Sequence, residues 1–161
     1  MNKVYYIYFT RDLIIFSGSL LDAGEHKHYA IQLSFGLDHP FKIKSMDGNW
    51  QTYSAVIIPT NCPHHYDGTA GMQLLMLINP LSNMGLYISA QWITGNKITI
   101  LARESVATLA DRFHKLCIVP NDTETLKSIL SFFSPPSGFI YKKTDWRITK
   151  VLTIIDNLEE K

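Results

Sequence analysis

The chain has 161 residues, 46% of them hydrophobic and 18% charged, with a formal net charge of +1. That is apolar material enough for one packed domain, or one domain with a helical extension, and it excludes a disordered tail. So small a charge provides no basic face, so these residues do not bind nucleic acid by themselves.

At the N-terminus Lys3 precedes the apolar run Val4 to Phe9, but Arg11 and Asp12 interrupt it before Leu13 to Phe16, and no small-residue cleavage site follows cleanly. No uninterrupted apolar run approaches the roughly 20 residues of a membrane span. Cys62 and Cys117 are too few and too far apart for the framework of a small secreted protein. They are expected to be free thiols in a protein of the reducing cytoplasm.

The first half reads as strands. Val4 to Thr10 is rich in tyrosine, isoleucine and phenylalanine, as a half-buried pleated surface prefers. A polar break at Thr10-Arg11-Asp12 precedes a second extended stretch, Leu13 to Ser17, and Gly18 and Gly24 bracket a short segment with Asp22. The next strand spans Tyr29 to Phe35, with His26 and His28 at its start, and Asp38-His39-Pro40 is a turn. Phe41 to Lys44 alternates apolar and basic residues. Asp47-Gly48-Asn49 signals a hairpin into a strand over Thr52 to Ile58, stopped by Pro59. Asp67-Gly68 predicts another turn before the apolar strand Met72 to Ile78. Short strands punctuated this regularly predict a sandwich or barrel.

The second half changes period. Ser82 or Asn83 is expected to cap a short helix through Trp92, ended at Gly95, with a strand or extended link over Asn96 to Ile100. Arg103 to Leu116 puts Val106, Leu109, Ala110 and Phe113 on one helical face. Asn121 or Asp122 caps a further helix with Leu126, Ile129, Leu130 and Phe133 as its stripe, terminated by Pro135-Pro136 and Gly138. Asp145 to Glu160 then spaces Ile148, Val151, Ile155 and Leu158 as a short heptad seam.

The chemistry concentrates at His26-Lys27-His28 with Gln32, answered by Pro59-Thr60-Asn61-Cys62-Pro63-His64-His65. Side chains on a strand alternate with period two, so His26, His28 and Gln32 share a face. With His64 nearby, three imidazoles and an amide converge: a ligand pocket, or a metal site on His26, His28 and His64. Three neutral imidazoles can hold zinc with an open position, and Cys62 and His65 are further donors within reach. Gln32 weakens the metal reading, because a neutral amide compensates a divalent cation less than a carboxylate does. Trp50, Tyr53, Tyr66 and Trp92 are candidates for an apolar pocket wall or for plain core. Asp22, Glu25 and Asp67 read as turn residues. No Ser-His-Asp order, phosphate loop or pair of spaced carboxylates appears, so no catalytic residues are assigned.

His-x-His, a polar residue four positions on, and a later Pro-x-small-x-x-His resemble the two cupin motifs. In metal-binding cupins these supply three histidines and a glutamate; here Gln32 stands at the glutamate position and Asn61 at that of a glycine. Gly18-Ser19-Leu20-Leu21, His26 to Leu33, Ser54 to Pro59, Pro63-His64 and Ile78-Asn79-Pro80 resemble, more narrowly, the sensor domain of AraC-type transcription regulators. Asp145-Trp146-Arg147-Ile148 is similar to the linker leading to their helix-turn-helix half.

The resemblance implies a mainly β fold with C-terminal α structure: a cupin-like double-stranded β-helix or jelly-roll barrel over 1–102, followed by helical dimerisation and linker elements over 103–161. It implies a non-enzymatic module that binds a small effector at His26, His28, Gln32, Tyr53, His64 and Tyr66. It implies a homodimer formed through the C-terminal helices, and DNA contact only through a helix-turn-helix domain expected beyond Lys161. A divalent transition metal such as zinc is the one cofactor the histidines suggest. The competing expectation is a free-standing metal-dependent cupin enzyme using His26, His28 and His64.

Overall fold

A computed structural model describes residues 6–45, 48–119 and 122–139, with the side chains of 20 and 103–106 left aside. In chain order the elements are β1 (Tyr6–Phe9), β2 (Leu13–His26), β3 (Ile31–Gly36), β4 (Phe41–Ser45), β5 (Gln51–Tyr53), β6 (Ala55–Ile58), β7 (His64–Ile78), α1 (Asn83–Trp92), β8 (Thr99–Ile100), α2 (Arg103–Ile118) and α3 (Thr123–Phe133). The protein is mainly β, with its helices after the first seven strands, as its sequence implies.

The frame is an antiparallel ribbon of the two longest strands. β2 pairs with β7 from Leu13↔Ile78 to His26↔His64. The far edge of β7 is shared: β3 occupies Gln73 to Ile78, and β4 occupies His64 to Asp67. One sheet layer therefore runs β1-β2-β7-β3-β6-β8, and a second is built on the other half of the ribbon by β4 and β5. The ribbon passes between layers at a register shift separating Ser19 and Leu21. Before it, Ile15 faces the helices and Ser17 meets Cys117 of α2; after it, the same side-chain row, now Leu21 and Ala23, faces the space between the layers. Such irregularities bend and twist a strand, which is how one ribbon serves two layers in a jelly-roll-like arrangement.

Two apolar clusters follow. The outer one lies between the larger layer and the helices: Ile31, Leu33 and Phe35 of β3 pack toward Leu109 and Phe113 of α2 and Ile129 and Phe133 of α3. Phe35 lies 4.9 Å from Phe113 and 6.5 Å from Phe133, ring centre to ring centre. The inner cluster joins Phe41 and Ile43 of β4 to Val56 and Ile58 of β6, Cys62, and Tyr66 and Leu75 of β7. β3 is thus buried on both faces, with Gln32 and Ser34 turned inward.

Several local expectations are corrected. β2 is one continuous strand through Gly18 and Gly24, held by its pairing with β7. β7 likewise continues through Asp67-Gly68; Asp67 does accept hydrogen bonds from the Thr69 amide and hydroxyl at 3.0 and 2.6 Å, but the strand does not reverse there. The strand expected over Thr52 to Ile58 breaks at Ser54, whose carbonyl accepts from the Gly36 amide at 2.8 Å. Ser82 caps α1 and Asp122 caps α3, each through its side chain. Val106 and the seam of Ile148, Val151, Ile155 and Leu158 fall where no side chain is described. No helix among the described residues is long and apolar enough to cross a membrane.

Candidate metal and ligand site

The histidines meet for a reason different from strand alternation. His26 ends β2, β3 begins only at Ile31, and His28 sits in the connection between them. His26 is brought to His64 by cross-strand pairing of β2 with β7. His28 is brought there by the turn after β6, where the Asn61 amide donates to the His28 carbonyl at 2.8 Å. Asn61 holds φ +54° in that turn, a left-handed conformation that asparagine tolerates better than most residues.

The ring centres of His26 and His64 are 4.3 Å apart, and His28 lies 5.6 Å from the first and 5.5 Å from the second. One potential ligand atom from each falls within 4.8 Å of the other two. Each Nδ1 is engaged by a nearby carbonyl: Gly24 at 2.6 Å for His26, Ala30 at 2.9 Å for His28 and Cys62 at 2.9 Å for His64. A carbonyl partner fixes the hydrogen on Nδ1 and leaves Nε2 with its lone pair for a ligand, as metal-binding histidines require.

His64 carries the clearest signal. It is wholly buried, and its Nε2 has no hydrogen-bond partner. A buried polar atom without a partner costs on the order of 1–3 kcal/mol, so a native site that keeps one usually serves something that binds it. Burial lowers the pKa of His64 to about 4, the Cys62 carbonyl pulls it upward, and His26 and His28 add to the lowering. At neutral pH the ring is an uncharged donor. The residues present fit a divalent metal.

Gln32 complicates His28. Its Oε1 lies 2.8 Å from Nε2 of His28, while its Nε2 lies 2.9 Å from Ser34 Oγ. Because the Ala30 carbonyl can only accept, it holds the proton on Nδ1 of His28, and Nε2 then meets Gln32 as an acceptor, which calls for the amide with its nitrogen toward His28 and its oxygen toward the Ser34 hydroxyl.

Beside the cluster opens a cavity of about 240 Å³. Phe16, Leu21, Ala23, Leu75 and Leu77 supply its apolar lining, and Tyr66, His26, His28, Gln32 and Asp22 its polar lining. Tyr53 stands apart: it packs 6.5 Å from Phe41, and its hydroxyl donates to Gln51. Trp50 stacks edge-on against His65 at 4.7 Å, and Trp92 lies against Phe133 at 6.3 Å on the helical side, so neither lines the cavity. Cys62 contributes its carbonyl while its thiol points to the Asn96 carbonyl at 3.7 Å, and His65 turns to Asp22 at 3.6 Å. The aliphatic wall escaped sequence reasoning, because its residues look like any buried strand; the ribbon's change of layer adds Leu21 and Ala23 to it. A wider groove of about 700 Å³ lies elsewhere, between Thr10 to Leu13 and Leu130 to Pro135, with no imidazole on its walls.

No protein-family profile and no curated protein matches the sequence. Solved structures similar to it include an RmlC-like cupin from Shewanella frigidimarina (14% identity, 47% of this chain and 74% of that one, TM-score 0.40). An RmlC-like cupin from Desulfovibrio desulfuricans shares 15% identity over 49% of this chain and 83% of its own, with a TM-score of 0.39. A protein from Neisseria meningitidis shares 20% identity over 46% and 82% of the two chains, with a TM-score of 0.40.

Proposed function

We propose that this chain is the effector-binding and dimerising domain of an AraC-type transcription regulator, acting without catalysis on a small molecule held between its β layers. The observation that carries the reading is the buried, unpartnered Nε2 of His64, turned into a cluster that opens on a mostly apolar cavity. That geometry suits a compact molecule with an apolar body and one polar end. A cavity of about 240 Å³ favours a ligand far smaller than a folded peptide or a lipid chain. In such regulators the effector acts only if it binds one arrangement of the protein better than another. Pairing of two copies through the C-terminal helices, and DNA contact through a following helix-turn-helix half, complete this reading.

A divalent metal such as zinc belongs to the same proposal. His26, His28 and His64 would hold it, and when bound it would supply positive charge and a Lewis-acidic position where no lysine or arginine lines the cavity. The second reading, a metal-dependent cupin enzyme, is favoured by the same nitrogen. Gln32 weighs against it, since no carboxylate balances the ion.

Calorimetric titration of zinc into protein purified without nickel affinity tests the site. One ion per chain is expected, with His64→Ala weakening binding by roughly tenfold or more. Absence of binding would remove the metal from the proposal. Stoichiometric iron or manganese accompanied by substrate turnover would replace the sensor reading with the enzymatic one.

A further inference from the structure

Three imidazoles converge at the cluster, and the hydrogens on their rings are already committed. The Gly24, Ala30 and Cys62 carbonyls hold them on Nδ1 of His26, His28 and His64. Nε2 of His28 is met by the Gln32 amide at 2.8 Å. Nε2 of His64 is buried without a partner, and Nε2 of His26 has no hydrogen bond among the described residues. Two lone pairs therefore lie close together, and neither has a donor.

The cavity lining repeats that bias. Tyr66 gives its hydroxyl hydrogen to Gln73 Oε1 at 3.4 Å, so toward other partners it offers lone pairs. Asp22 is the one carboxylate among the described lining residues, and no lysine or arginine is among them. Its side chain is 59% exposed, so the lining meets water there. A ligand that suits these walls donates hydrogen bonds, carries positive charge and has an apolar body for Phe16, Leu21, Ala23, Leu75 and Leu77.

The two lone pairs also set how many donors the head of the ligand must carry. A hydroxyl has one hydrogen and satisfies one imidazole, whereas a carboxylate has none. A primary ammonium has three on a single atom. Acceptors met by a tetrahedral ammonium at ~2.9 Å lie about 4.7 Å from one another. The candidate ligand atoms here lie within 4.8 Å of one another. A tetrahedral zinc with its nitrogens at about 2.05 Å needs separations of about 3.4 Å, so a metal needs the rings closer together than an ammonium does.

We propose that the imidazole cluster receives the primary ammonium group of a small alkylamine or arylamine, which donates to Nε2 of His26 and of His64 while its apolar body occupies the cavity. The proposal rests on the reading of the cluster as a ligand site and names the class of molecule bound there. Burying a cation is costly unless charge and hydrogen bonds meet it. Here two imidazole nitrogens accept, and Asp22 supplies the opposite charge. Hydrogen bonds from a charged donor are about twice as strong as neutral ones, which favours the ammonium over an uncharged group of the same shape. A zinc ion uses the same two lone pairs, so amine and metal exclude each other.

Calorimetric titration of the chelator-treated full chain with benzylamine, benzyl alcohol and benzoate at pH 7 tests this. The three share a ring and differ in offering three, one and no donor hydrogens. Benzylamine should bind one per chain, roughly tenfold or more tighter than benzyl alcohol, and benzoate should not bind. His64→Ala should remove most of that preference. Asp22→Asn should weaken benzylamine by roughly threefold, and benzyl alcohol less. If His64→Ala fails to fold, Asp22→Asn decides, and equal weakening of both ligands overturns the proposal. Benzylamine at ten times its dissociation constant should lower the apparent zinc affinity by roughly tenfold. Benzyl alcohol or benzoate binding as tightly as benzylamine, or zinc binding indifferent to benzylamine, overturns the ammonium and leaves the ligand site standing. None of the three binding overturns the ammonium, and absence of zinc binding as well removes the site with it.

Discussion

His64 joins two properties: a ring nitrogen sealed from water and a pKa lowered to about 4 by that burial. An unfolded chain takes up this proton near pH 6.5, whereas the folded one resists it down to about pH 4. The unfolded state therefore binds more protons between these values, and stability of the metal-free protein falls as pH drops through that window. The full contribution is about 3 kcal/mol, present as a loss below pH 4 and absent above about 6.5. Urea unfolding at pH 7 and pH 4.5 measures it, and His64→Gln should lose markedly less stability than wild type between the two. Equal losses would show that His64 is not the group responsible. Asn61 teaches a smaller lesson at this scale. Its place in a motif where glycine is usual looks like a departure, yet a left-handed φ is a need that asparagine also meets.

Among the elements, α1 and α3 start where side-chain chemistry says they should, whereas α2 follows Ala102 without a side-chain cap. Ser82 Oγ accepts from the Gly85 amide at 3.0 Å while its own hydroxyl donates to the Asn79 carbonyl at 2.7 Å, so one side chain ties α1 to the end of the strand before it. Ser82→Ala should lower stability by about 1 kcal/mol in chemical denaturation, with more exchange in the first turn of α1 than elsewhere. Uniform loosening of the whole chain would instead assign Ser82 a role in the core. Strands were harder to read. Gly18, Gly24 and Asp67-Gly68 carry turn chemistry in the sequence, yet β2 and β7 run through all of them. Each strand satisfies the other's backbone along the ribbon, and that ladder outweighs local turn preference.

For the whole molecule, the division into two clusters governs stability. The outer cluster welds α2 and α3 to the larger layer through Phe35, Phe113 and Phe133, all fully buried. Phe113→Ala leaves a ring-sized void on that seam and should cost roughly 3–5 kcal/mol. Because the seam joins helices to sheet, urea unfolding followed by fluorescence and by circular dichroism should still give one coincident transition in wild type. Separate transitions would mean that helices and sheet unfold as independent bodies.

By itself the sequence determined the mainly β first half, the turn to helical period, the caps at Ser82 and Asp122, and the short set of residues that converge. These follow from local physics: side-chain periodicity, capping chemistry and the rarity of clustered histidines. Only the tertiary structure decided how they converge. His26 meets His64 through a cross-strand pair, His28 through a hydrogen bond from Asn61, and neither contact is local in sequence. The tertiary structure also set Tyr53 and Trp92 outside the cavity and gave Leu21 and Leu77 its wall. For Leu21 the physical reason is the register shift in β2, which exchanges the faces of a strand whose residues, read in line, look the same on either side of it.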